Sequence, residues 1–126
     1  GPALQVLLVE DDAEVADLVT AMLEELGHAV TRAEDADSGL KIVQESRRID
    51  LLLTDLVMPG ARNGVDLAQE ALRLRPDLPV ILSSGYTGEI LGPAERAPWP
   101  LLRKPYSAEA LARTIDEVLE RPAEPA

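Results

Sequence analysis

Acidic residues close two of the apolar runs in this chain. "LQVLLVE" (4 to 10) leads into Glu10-Asp11-Asp12, and "DLLLTD" (50 to 55) ends in Asp55. A third run, "LPVILSS" (78 to 84), ends in Ser83 and Ser84, and a fourth, "PLLRK" (100 to 104), ends in Lys104 followed at once by Pro105. Carboxylates that converge without compensation repel one another and raise their own pKa values, so their meeting calls for a hard divalent cation. Oxygen donors with no His or Cys nearby favour Mg²⁺ or Mn²⁺ over Zn²⁺. Lys104 brings a point charge, and Ser84 brings a hydroxyl that can donate to an anionic oxygen. Cation, ammonium and hydroxyl together suit a phosphoryl group better than a carbonyl substrate, with Asp55 as the in-line nucleophile that forms an acyl phosphate. Any one of these ends alone reads as a solvated helix N-cap or as a strand leaving a sheet. The four together, in order, carry the chemistry.

That chemistry requires the runs to be strands whose carboxyl ends meet. With "HAVTRAE" (28 to 34) there are five such runs, rich in Val, Leu and Ile. Between the first two, Val15, Leu18, Val19, Met22, Leu23 and Leu26 recur at helical spacing and stop at Gly27, where a left-handed residue is expected. Helices are also predicted over 37 to 47, over 64 to 75 before Pro76, and over 107 to 121 behind a Ser107 N-cap. Strict alternation of strand and helix predicts an α/β fold, a doubly wound five-stranded parallel sheet covered on both faces. The continuously apolar segments at 6 to 9 and 51 to 53 are its central strands. In such sheets ligands bind beyond the carboxyl ends of the strands, where successive crossovers take opposite faces.

Composition limits the alternatives. The chain has 126 residues, room for one domain, and no cysteine, so neither disulfides nor a thiolate metal site hold the fold. A formal charge of −11 repels a phosphate backbone, which argues against direct nucleic-acid binding. The aromatic residues are Tyr86, Trp99 and Tyr106, too few for a base-stacking surface. No apolar run approaches the ~18 residues of a membrane span, so no membrane contact and a cytoplasmic location are expected. Residues 1 to 3, with Gly1-Pro2 as a cleaved-tag remnant, and the Pro-rich tail 121 to 126 are set outside a domain spanning 4 to 120.

The motifs "LLVEDD", "LLLTDLVMPG", "VILSSG" and "LLRKPY" together resemble the receiver domain of two-component response regulators over residues 4 to 120. The resemblance implies the flavodoxin-like strand order 2-1-3-4-5 and Asp55 as phosphoacceptor. It implies Asp11 as direct metal ligand, Glu10 as an acid acting largely through water, and Asp55 with the Val57 carbonyl completing the ligands. Ser84 would be the switch hydroxyl, Lys104 the phosphate-contacting lysine, and Asp12 secondary. The implied phosphate source is a phosphohistidine on a sensor histidine kinase or a histidine phosphotransfer domain. The domain would then be no enzyme beyond catalysing its own phosphorylation and dephosphorylation. "SSGY" with "LLRKPYS" is most similar to receivers at the C-terminus of hybrid sensor kinases, with a free single-domain regulator as the alternative.

Departures from that pattern are local. Leu101 stands where the family commonly has Tyr or Phe, three residues before the strand-5 lysine, which puts a rotating aromatic switch in doubt. Gly88, Gly92, Pro93, Pro98 and Pro100 predict an irregular or shortened fourth helix, since proline costs roughly 3 kcal/mol inside one. No output domain is expected after the last helix. His28, the only histidine, is expected to be a partly exposed strand residue, and Trp99 either core or a partner anchor. A haloacid-type phosphatase would need an Asp two residues after Asp55, where Val57 stands. A flavodoxin-like carrier would need a hydroxyl-rich loop after strand 1, where three carboxylates stand. A non-phosphorylated scaffold of the same fold is the remaining alternative.

Overall fold

Leu, Val and Ile in unbroken succession leave a strand no polar face, so such strands must be covered on both sides. The computed structural model describes residues 3–45, 48–57, 60, 62–85 and 98–120. Its strands are β1 (Gln5–Val9), β2 (Ala29–Ala33), β3 (Leu51–Asp55), β4 (Val80–Ser84) and β5 (Leu101–Arg103), each inside the apolar run that predicted it. The helices among the described residues are α1 (Ala13–Glu25), α2 (Ala36–Gln44), α3 (Gly64–Leu74) and α4 (Ala108–Glu120). All strand pairs are parallel and the order is β2-β1-β3-β4-β5, as expected.

Side-chain alternation along each strand divides the core into two layers. Val6, Leu8, Leu51, Leu53, Ile81 and Leu102 pack with Ala16, Val19 and Leu23 of α1 and with Leu111 and Ile115 of α4. Leu7, Val9, Leu52, Val80 and Leu82 pack on the other face with Leu40 and Val43 of α2 and Leu67, Ala68 and Ala71 of α3. The strand order turns back at β1 and β3, whose connecting helices α1 and α3 lie on opposite faces. A crevice therefore opens at the carboxyl ends of these two strands.

Local chemistry sets the helix ends. Asp12 caps α1, its Oδ1 accepting from the backbone N–H of Glu14 and Val15 at 3.0 and 3.2 Å. Asp35 with Ser38, and Asn63 with Asp66, form reciprocal capping boxes at α2 and α3. The expected Ser107 cap is present, with Ala110 N–H donating to Ser107 Oγ at 3.0 Å. Gly27 takes the left-handed conformation predicted for it, at φ 97°. Helix α2 is shorter than the predicted 37 to 47, because Glu45 leaves the helical conformation at ψ 118°. Of the segment predicted as an irregular fourth helix, 87 to 100, residues 87–97 lie outside the described residues.

Trp99 and Leu101 are half-buried and pack on the layer under α2 and α3, so Trp99 belongs to the core. His28 is half-buried just before β2, at the end of the strand remote from the crevice. Its Nδ1 accepts from Leu4 N–H at 3.1 Å, and burial holds its pKa below the ordinary histidine value.

Leu53 is wholly buried in the α1–α4 layer. Leu53→Ala is expected to cost about 2–5 kcal/mol through lost contacts and a residual cavity. Urea denaturation checks this, with the midpoint falling and the slope unchanged.

Candidate functional site

Main-chain pairing continues past the strands at the crevice. Glu10 N–H donates to Ala33 O at 3.0 Å, Leu56 N–H to Ser83 O at 2.7 Å, and Lys104 N–H to Ser84 O at 2.8 Å. The backbones that carry Glu10, Asp55 and Lys104 are thus fixed by the sheet itself. Asp55 pairs in register with Ser83, and Ser84, 1% exposed, pairs with Arg103 at the neighbouring strand end. The Lys104–Pro105 peptide is cis.

The ladder brings one ammonium among the carboxylates. Lys104 Nζ donates to Glu10 Oε1 at 2.7 Å and lies 3.3 Å from Asp55 Oδ2. Glu10 Oε2 accepts from Asp12 N–H at 3.1 Å, so both Glu10 oxygens are engaged. Asp55 is different: its Oδ1 is buried with no hydrogen-bond partner among the described residues. Burial pushes the Asp55 carboxyl up to about 7, with Lys104 opposing and Glu10 and Asp11 adding to the rise. Burial also pulls Lys104 down, but its bond to Glu10 and the charges of Asp55 and Glu10 outweigh this and hold it above its ordinary value. The lysine therefore stays protonated while the aspartate is poised to lose a proton.

One carboxylate oxygen each from Glu10, Asp11 and Asp55 lie within 4.8 Å of one another. These donors are all oxygen, Asp11 is exposed at the crevice mouth, and Asp55 Oδ1 lacks the donor that a buried anion requires. The set fits a small hard cation such as Mg²⁺ or Mn²⁺. Asp12, third in the acidic run, is committed to capping α1. Val57 is exposed two residues beyond Asp55.

Two contributors were not singled out by sequence reasoning. Tyr106 is half-buried against the α1–α4 layer and lines a groove with Val15, Leu18, Met22 and Pro105 that reaches Asp12 and Lys104. Burial, then the Glu10 and Asp55 charges, push its phenol well above the tyrosine range, so it is neutral. Its place in "LLRKPY", two residues past Lys104, was the available signal. Gly64 opens α3 directly against the backbone of Asp55, and nothing local in the sequence marks that contact.

Three outcomes test the electrostatics. Lys104→Met should tighten Mg²⁺ binding on the order of tenfold, about 1.4 kcal/mol, because the ammonium competes with the cation for Glu10 and Asp55. Asp12→Ala should lose about 1 kcal/mol of fold stability with Mg²⁺ affinity unchanged; calorimetric titration and denaturation separate the two. The third outcome concerns pH. Raised from 3.8 to about 7, the Asp55 carboxyl holds a proton in the folded protein that the unfolded chain releases. Its contribution to stability is complete below pH 3.8 and is lost as pH rises through about 7. Metal-free protein should therefore weaken between pH 5 and pH 8 by a margin that disappears in Asp55→Asn, measured by denaturation with a chelator present.

Residues 6–116 match the family profile of the response regulator receiver domain. The chain is 33% identical over 117 residues to the response regulator receiver protein CpdR of Brucella abortus, covering 91% of this chain and 96% of that protein. It is 34% identical over 120 residues to the sensor kinase CckA of the same organism, covering 92% of this chain but 12% of the kinase. The crystal structure of a response regulator receiver domain protein from Clostridium thermocellum superposes with a TM-score of 0.80 at 30% identity, covering 94% of this chain and 95% of that one. Profile, relatives and superposition all span the sheet that holds Glu10, Asp55 and Lys104, and the chain belongs to the response regulator receiver domain family.

Proposed function

We propose that this domain accepts a phosphoryl group on Asp55 from a phosphohistidine of a sensor kinase or histidine phosphotransfer protein, and that Mg²⁺ or Mn²⁺ is required. The observation that carries this reading is Asp55 itself, buried beside Lys104 with one carboxylate oxygen unpartnered. Asp11, Asp55 and the Val57 carbonyl would hold the cation directly. Glu10 would act through water, in keeping with the engagement of both its oxygens. A cation held there would offset negative charge on the phosphoryl oxygens and favour the ionised form of Asp55. One Asp55 oxygen then attacks in line while the phosphorus–nitrogen bond of the donor breaks with its electron pair going to the ring nitrogen, and a ring protonated on its other nitrogen departs as neutral imidazole. Lys104 neutralises the charge that reaches Asp55, and Ser84 donates to a phosphoryl oxygen and is drawn toward it as the switch.

The domain acts on no separate substrate in this reading: Val57 stands where a phosphatase would carry its acid and base. Exposed Leu18 and the groove along α1, beside the acidic cluster, suit a helical partner that must bring its phosphohistidine to Asp55. Among the described residues no helix is long and apolar enough to cross a membrane; a cytoplasmic location belongs to the two-component reading. The similarity to CpdR and to CckA supports a two-component partner in either a free regulator or a hybrid kinase.

Intact mass before and after treatment with acetyl phosphate and Mg²⁺ tests the reading. A gain of one phosphoryl group is expected in wild type, none in Asp55→Asn, and none with a chelator. A folded wild type that gains nothing from acetyl phosphate or from a phosphorylated histidine domain would leave the scaffold reading in its place.

A further inference from the structure

The backbone of Asp55 is held from two sides. Thr54 Oγ1 donates to the Asp55 carbonyl oxygen at 3.1 Å, and α3 begins against the same carbonyl. Gly64, the first residue of α3, donates its N–H to Leu56 O at 2.8 Å. A Cβ at position 64 would overlap the Asp55 carbonyl oxygen and stand 3.1 Å from the Asp55 carbonyl carbon and from Leu56 Cα. Gly64 is not among the residues with positive φ, so space, and not backbone freedom, demands glycine here.

The atoms in the way are main chain and cannot rotate aside. Gly39 on α2 makes the contrast: a Cβ there would meet a methyl group of Val9 at 3.0 Å, a side-chain contact that can give. Helix α3 cannot easily back away, because Leu67, Ala68 and Ala71 are wholly buried and Asn63 with Asp66 closes its first turn. The pressure of a side chain at 64 therefore falls on the Asp55–Leu56 peptide.

Building on the phosphoacceptor reading, we propose that Gly64 is a positioning residue for that chemistry. Its missing side chain lets α3 seat directly on the peptide after Asp55, which sets where the Asp55 carboxylate stands relative to Lys104 and the Glu10–Asp11 pair. The tolerance is small. Asp55 Oδ2 is already 3.3 Å from Lys104 Nζ, and a further displacement of about 1 Å breaks that contact. Misplacement of about 1 Å from a remote change is able to cost on the order of 10²-fold in rate.

The test compares Gly64→Ala, Gly39→Ala and Asn63→Ala with wild type, all below their unfolding temperatures. Mg²⁺ affinity is measured by calorimetric titration, and the rate of phosphoryl uptake from acetyl phosphate at saturating Mg²⁺ is measured by intact mass. Gly64→Ala should bind Mg²⁺ several-fold more weakly and take up phosphate at least tenfold more slowly. Gly39→Ala should lose stability with both values unchanged. Asn63 is exposed, so Asn63→Ala should fold; loosening the seat of α3, it should slow uptake two- to fivefold, and it decides the matter if Gly64→Ala does not fold. Wild-type affinity and rate in folded Gly64→Ala, equal slowing in Gly39→Ala, or an unchanged rate in Asn63→Ala with Gly64→Ala unfolded overturns the positioning role alone. A wild type that takes up no phosphoryl group overturns the function and this role with it.

Discussion

A carboxylate taken out of water needs either a proton or a positive charge, and Asp55 at the end of β3 is offered a shared one. Lys104 divides its ammonium between Glu10 and Asp55, closer to the former. The pairing of Asp55 is incomplete, and this incompleteness is what suits the site to the proposed chemistry. A full ion pair would have lowered its pKa and quenched its demand for a cation; no pair at all would have left buried like charges opposed. The sheet is arranged around this compromise, since only parallel strands bring three carboxyl ends from sequence-distant segments to one edge.

Precision at the site comes from the main chain. The hydrogen-bonding ladder fixes residues 10, 55 and 104, while wholly buried Leu7, Leu51, Leu52 and Leu53 keep the central strands from shifting. Burial on both faces also makes register costly to change, because a slip of one residue would exchange the two core layers. The groups proposed for the chemistry thus sit at the end of a hydrogen-bonded, wholly buried part of the sheet.

The strands were legible because their apolar runs have no polar face, and the helices because α1, α3 and α4 carry both periodicity and a cap. The site was legible as a set of strand ends, and Glu10, Asp11, Asp55 and Lys104 do converge. What was not legible is how they share partners. Asp12 looks like a third member of the acidic run, yet its side chain faces the helix amides; cap and ligand use the same residue type. The engagement of Glu10 Oε1 depends on Lys104, 94 residues away. Gly64 sits in a segment where any helix former would read equally well, since its constraint is the backbone of another element. The early end of α2 at Glu45 escaped notice because local propensity at 45 to 47 favours continuation.

The groove along α1 is built differently from the crevice beside it. Its walls are side chains, Val15, Leu18, Met22 and Tyr106, standing on a helix and a loop outside the hydrogen-bonded ladder. Leu18 is 57% exposed. Val15, Met22 and Tyr106 also pack on the core, so exposed Leu18 is where the proposed recognition can change with the proposed chemistry left as it is. A lineage that duplicates such a domain can acquire a new interlocutor by altering a few surface residues, while the buried edge is inherited intact.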